Sequence, residues 1–85
     1  MPAKYFIVDK KADKQFLKLP KFAQKRVILA YRALRENPIS GSKLKGELSE
    51  YYKYRIGDWR IVYKFDSKRS IIEVVKIEHR QGVYR

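Results

Sequence analysis

The chain has no cysteine, which excludes disulfide staples, zinc–thiolate centres and thiol catalysis together. Its single histidine, His79, cannot form a pair of imidazoles for acid and base. The nine acidic residues are scattered, with no spacing that suggests Mg²⁺ or Zn²⁺ coordination. No phosphate-cradling glycine motif is present, so neither a metal nor any other cofactor is expected. No apolar run approaches the roughly 20 residues needed to span a bilayer. The opening Met1-Pro2-Ala3-Lys4-Tyr5 lacks the apolar stretch of a signal peptide, so a cytoplasmic protein without a membrane partner is expected.

What the chain has in excess is positive charge. Lys and Arg number 21 against 9 acidic residues, a formal +12 over 85 positions. Such a field attracts polyanions and speeds association with them, which points to a nucleic acid or ribosomal partner. An acidic protein partner fits the same field. With 45% hydrophobic and 35% charged residues, the composition is that of a folded domain, read as one unit over 1–85. A chain this small buries only about 60 to 65% of its unfolded surface, so a bound partner would add materially to its stability.

Lys4 to Val8 is a short β-rich run, and Asp9 after it is a plausible N-cap for a helix through Phe16 to Lys18. Leu19-Pro20 breaks that helix, and Pro20 suits the first turn of a second one running to about Glu36. Ala23, Val27, Ala30 and Leu34 recur there at helical spacing, with Phe22, Tyr31 and Ala33 widening the stripe. Asn37-Pro38 ends it, and residues 39–50 read as a polar loop with two glycines. Strands are expected at about 51–56, 59–66 and 70–78, joined by turns too short for anything but antiparallel pairing. The expected fold is α+β in the order β-α-α-β-β-β: two helices on one face of a mainly antiparallel four-stranded sheet.

Around Gly57-Asp58 the alternation specifies a two-residue hairpin with Ile56 facing Trp59, Arg55 facing Arg60 and Tyr54 facing Ile61. One face then carries Tyr52, Tyr54, Ile56, Trp59, Ile61, Tyr63 and Phe65, a core surface. The other carries Lys53, Arg55, Arg60, Val62 and Lys64, with Tyr51 beside them as a candidate to stack a base. Like charges directly opposed cost a few tenths to about 1 kcal/mol, so Arg55 against Arg60 calls for an anion. The structural alternative for Arg60 is an ion pair with Asp58 or Glu73.

The inventory that remains is Lys, Arg, Tyr and one His. It suits scission of RNA by its own 2′-hydroxyl, which needs a base, cations for the charge gathering on phosphorus, and an acid for the 5′-oxygen. Arginine fits the second task because its planar fork binds two phosphate oxygens and keeps its charge. Lysine or tyrosine could act as base only in a cationic neighbourhood, since both start near a pKa of about 10. His79 is a further candidate acid or base, although alternation sets it on the opposite side of its strand from Arg80.

Lys43-Leu44-Lys45-Gly46, the run Tyr52 to Tyr63, and the ending His79-Arg80 with Val83-Tyr84 together resemble the RelE branch of the RelE/ParE toxin superfamily. The resemblance spans nearly the whole chain in element order and length. It implies a toxin of a type II toxin–antitoxin system, a ribosome-dependent endoribonuclease that cuts mRNA in the ribosomal A site without a metal. It implies catalytic roles for Lys53, Arg55, Arg60, Arg80 and Tyr84; Lys43, Lys45 and Tyr51 are the candidate RNA contacts. The implied partners are a cognate antitoxin, the ribosome and mRNA, with the free toxin a monomer. Two other readings fit less well: a ParE-like protein that poisons DNA gyrase without cutting RNA, and a plain basic ribosome- or RNA-binding module.

Overall fold

The computed structural model describes residues 2–46 and 50–79. The elements are β1 (Tyr5–Val8), α1 (Lys10–Leu17), α2 (Lys21–Glu36), β2 (Ser42–Lys43), β3 (Tyr51–Ile56), β4 (Trp59–Asp66) and β5 (Ile71–His79). Among the described residues the sheet has five strands in the order β1-β5-β4-β3-β2, one more than the sequence suggests. The added strand is β2, two residues that pair Ser42 with Lys53 and Lys43 with Tyr52 inside the stretch read as loop. A two-residue strand has no alternation to betray it. All pairings are antiparallel except β1 with β5, which is parallel.

Both helices begin where the chain cannot yet hydrogen-bond internally. Asp9 precedes α1 in extended backbone without a side-chain cap, and its carbonyl accepts from Asp13 N–H at 2.9 Å. Pro20 stands one residue before α2 as its N-cap, not within the first turn, and its carbonyl accepts from both Ala23 and Gln24. Ala23, Val27, Ala30 and Leu34 are buried on the inner face of α2 as their spacing predicts. Phe22 and Ala33 are not: both are exposed, so the buried stripe is narrower than expected. Phe22 instead sets its ring edge-on to Trp59, with centroids 5.8 Å apart.

The core joins Ala12 of α1 and Val27, Ala30 and Leu34 of α2 to Ile61, Tyr63, Ile72, Val74 and Ile77 of the sheet. The helices thus cover one sheet face, and every hairpin residue assigned to the core lies in or against this cluster. Buried Tyr63 also ties down the chain leading into β2. Its hydroxyl donates to the Pro38 carbonyl at 2.7 Å and accepts from Gly41 N–H at 3.1 Å. Burial pushes its pKa up to about 12, so it stays a donor at any ordinary pH. Gly41 must be glycine for this contact, because a Cβ there would lie 2.7 Å from both Lys53 O and Tyr63 Oη.

One irregularity decides what reaches the outer face. Val62 pairs with Lys76 but Tyr63 pairs with Val74, leaving Val75 as an extra residue in β5. Strict alternation from Ile72 and Val74 would send Lys76 and Glu78 inward toward the helices. The bulge reverses that parity, placing Ile77 in the core and Glu78 opposite Arg60 on the outer face. Beyond the end of β1, α1 runs beside β5, and Gln15 Oε1 accepts from Ile77 N–H at 2.8 Å in place of a neighbouring strand.

Candidate nucleic-acid interface

The hairpin has the register its sequence predicts. Ile56 pairs with Trp59, Arg55 with Arg60, and Tyr54 with Ile61. Gly57 takes φ +59° at the first turn position, where left-handed backbone favours glycine. Lys53, Arg55 and Arg60 therefore share the face turned away from the helices. Beside them lies an open cleft of about 460 Å³, lined by Lys53, Arg60, Lys76, Glu78 and Lys11, with Tyr51, Leu44, Val62 and Val75 beneath and around them. Val62 is buried although its face is polar, because these long side chains and their apolar stems cover it.

Within the cleft Arg60 is paired with neither Asp58 nor Glu73. Its Nε donates to Glu78 Oε1 at 2.8 Å, while Lys76 Nζ stands 3.0 Å from Glu78 Oε2. Both carboxylate oxygens are thus held by cations. Burial works to raise the Glu78 carboxyl, but hydrogen bonds and charge from Lys76 and Arg60 outweigh it and hold the group below its ordinary value. The anion called for by Arg55 against Arg60 is supplied by the protein itself.

Tyr51 lies at the other end of the cleft, paired with Lys64, whose ammonium is 5.0 Å from its ring centroid and 3.7 Å from Glu50. The Tyr51 phenol and then Glu50 hold the Lys64 ammonium above its ordinary value. Opposite Lys64 on the same face, Glu73 behaves oppositely to Glu78. A hydrogen bond with the Asp9 carboxyl, with burial and that group's charge, raises it, and Lys64 only partly offsets the effect.

The other candidates separate. His79 pairs with Trp59 and packs edge-on against its ring at 5.0 Å, on the helix side, so it is not brought to the face of Lys53 and Arg60. Lys43 pairs with Tyr52 and so sits across its strand from the cleft, where Leu44 is the lining residue. Lys45 is exposed just after β2. Arg80 and Tyr84 lie outside the described residues. Sequence reasoning missed Lys11, Lys76 and Glu78, whose positions depend on the bulge and on α1 lying beside β5. A β5 with two charged residues after an unbroken apolar pair was the available signal.

Chemically, the face can bind an anion through several nitrogens at once and offers an aromatic ring at its margin. Among the described residues no group of three or more His, Asp or Glu could hold a metal ion, and no helix is long and apolar enough to cross a membrane.

The fold recurs in solved structures. A chain of the toxin–antitoxin complex RelBE2 from Mycobacterium tuberculosis superposes with a TM-score of 0.84 at 24% identity, covering 94% of this chain and 100% of that one. The isolated RelE toxin of E. coli gives 0.78 at 24% identity, covering 94% and 89%. These likenesses establish the fold. In sequence, the toxin RelG of Mycobacterium tuberculosis is 27% identical over 67 residues, 78% of this chain and 77% of the relative. Residues 6–84 match the family described as the ParE toxin of type II toxin–antitoxin system, parDE, and the chain accordingly belongs to that toxin family, within the RelE/ParE superfamily.

Proposed function

We propose that the chain is a ribosome-dependent endoribonuclease of the RelE kind, cutting mRNA in the ribosomal A site and halting translation in the cytoplasm. The observation that carries this reading is the placement of Lys53, Arg55 and Arg60 on one open face, with Lys53 and Arg60 lining a cleft of about 460 Å³. Arg60, with Arg80, holds the scissile phosphate and the charge that gathers on it. Arg55 orients the RNA backbone. Lys53 takes the 2′-hydroxyl proton, or its charge assists Tyr84 in doing so. Tyr51 offers a ring to a base, and Lys43 and Lys45 steer RNA from the side. The 2′-oxygen attacks phosphorus, the bond to the 5′-oxygen breaks, and that oxygen takes a proton. The products are a 2′,3′-cyclic phosphate and a 5′-hydroxyl, with no metal in the reaction. Arg80 and Tyr84 enter through the resemblance of the chain's ending to the family pattern.

A cognate antitoxin is the proposed protein partner, because the RelBE2 relative is a toxin–antitoxin complex and this surface is strongly basic. A second reading has one observation in its favour: the matching family is described by its ParE toxin, so the chain could poison DNA gyrase instead. End-group analysis of mRNA from a translation reaction tests the first reading. Cyclic phosphate at the new 3′ ends is expected, and 3′-hydroxyl ends would contradict it. Intact mRNA together with induction of a DNA-damage response in expressing cells would favour the second.

A further inference from the structure

The cleft already contains an anion. Among the described residues four cations line it, Lys11, Lys53, Arg60 and Lys76, and the one carboxylate is Glu78. That carboxylate lies between Arg60 Nε at 2.8 Å and Lys76 Nζ at 3.0 Å, and its side chain is 25% exposed to the cleft. A phosphate presents the same features to such a pair: negative oxygens that accept charge-assisted hydrogen bonds from two cations at once.

We propose that Glu78 is the resident occupant of a phosphate seat, standing between Arg60 and Lys76 where a backbone phosphate of single-stranded RNA binds, so that RNA must displace it. The inference rests on the RNA reading of the cleft and adds two things to it. Lys76 becomes a phosphate contact, and Glu78 becomes a brake on the affinity of free RNA. An Arg60–Glu78 bond that persisted under RNA would leave an incoming phosphate beside a carboxylate, with repulsion in a partly desolvated site. Exchange removes that repulsion and keeps both cations paired throughout. The suppressed affinity also gives a physical reason for such a protein to act where RNA is presented to it, not on RNA at large.

The test is binding of a short single-stranded RNA by fluorescence anisotropy across a salt series, without ribosomes. Glu78→Gln keeps the size and an acceptor for Arg60 but removes the competing charge. Glu36→Gln, an exposed change on α2, is the control for net charge alone. Glu78→Gln is expected to bind about three- to tenfold more tightly at low salt, with a steeper slope of log K against log salt, because the carboxylate displaced in wild type takes back a cation that the amide does not. Glu36→Gln is expected to change affinity by less than about twofold, its charge being screened at that distance. Equal or weaker binding by Glu78→Gln would overturn the inference and leave the RNA reading standing. No binding by either protein would likewise overturn the inference, while the RNA reading is decided separately by the end groups of mRNA from the translation reaction. Should Glu78→Gln fail to fold, the Arg60 Nε–H resonance of the wild-type protein reads the same exchange: it must move on addition of RNA, and an unmoved signal at saturation contradicts the proposal.

Discussion

Arg60 donates through Nε to the Glu78 carboxylate at 2.8 Å, and the pair exists only because the extra residue at Val75 turns the end of β5 over. The bond occupies the inner nitrogen of the guanidinium. A guanidinium has five N–H donors, so while Glu78 is seated only those on its two outer nitrogens are open, and its displacement frees the fifth. One cross-strand contact therefore relieves part of the repulsion between Arg55 and Arg60, on the Arg60 side, and occupies the nitrogen that a displacing phosphate would take over.

Arg55 has no comparable relief in its own pairing, since it stands directly opposite another arginine. Replacing it with threonine, a good strand residue, is expected to stabilise the fold by a few tenths to about 1 kcal/mol while weakening RNA binding. For a domain of this size 1 kcal/mol raises Tm by about 4–8 °C, within reach of a thermal melt. A lower Tm would show that Arg55 is held by contacts beyond its strand partner.

Tyr63→Phe tests the tether that carries the chain into β2. Removing one hydroxyl leaves both the Pro38 carbonyl and the Gly41 N–H without it. The expected loss is about 1–3 kcal/mol in chemical denaturation, because buried groups left unpaired cost their desolvation. Hydrogen exchange should accelerate most in β2 and the adjoining edge of β3. A neutral substitution would mean that the tether is dispensable.

Two carboxylates on the outer face give opposite pH dependences. Glu78 is held below its ordinary 4.5, so the folded state binds its proton less readily than the unfolded state. Its contribution is present above the unfolded pKa and is lost as pH falls through the folded one. Glu73 is raised above 4.5 by its bond with Asp9, so its contribution is full below the unfolded pKa and is lost as pH rises through the folded one. Stability measured between pH 3 and 7 should then fall less steeply toward acid in Glu78→Gln, and more steeply in Glu73→Gln, than in wild type. Identical profiles for all three proteins would contradict both assignments.

Much of this is legible in the sequence alone. The period of 3.6 in Ala23, Val27, Ala30 and Leu34 and the period of 2 on either side of Gly57 each require one buried face, which left little freedom in α2 or in the β3–β4 hairpin. Strand β2 was invisible because two residues carry no period. Phe22 misled because an aromatic at helical spacing fits a buried stripe as well as it fits an exposed ring lying against Trp59. The larger miss was Glu78. Its facing depends on a bulge, a choice made by packing on both sides of β5 at once, and local alternation points it the wrong way. The site was thus readable as a set of cations, and its own anion was not.

The central claim is that the face bearing Lys53, Arg55 and Arg60 cuts RNA, and the most direct test is in vitro translation with purified wild-type protein and Arg60→Ala. Mapping mRNA ends by primer extension should show cuts within the decoding-site codon for wild type, and a loss of at least about 10²-fold in the variant, as for removal of a group that stabilises transition-state charge. The variant should melt no more than a few degrees from wild type, since Arg60 is a partly exposed residue of a sheet face. Intact mRNA and undisturbed translation with the wild-type protein would contradict the account, and cuts that persist in Arg60→Ala would remove that arginine from the site.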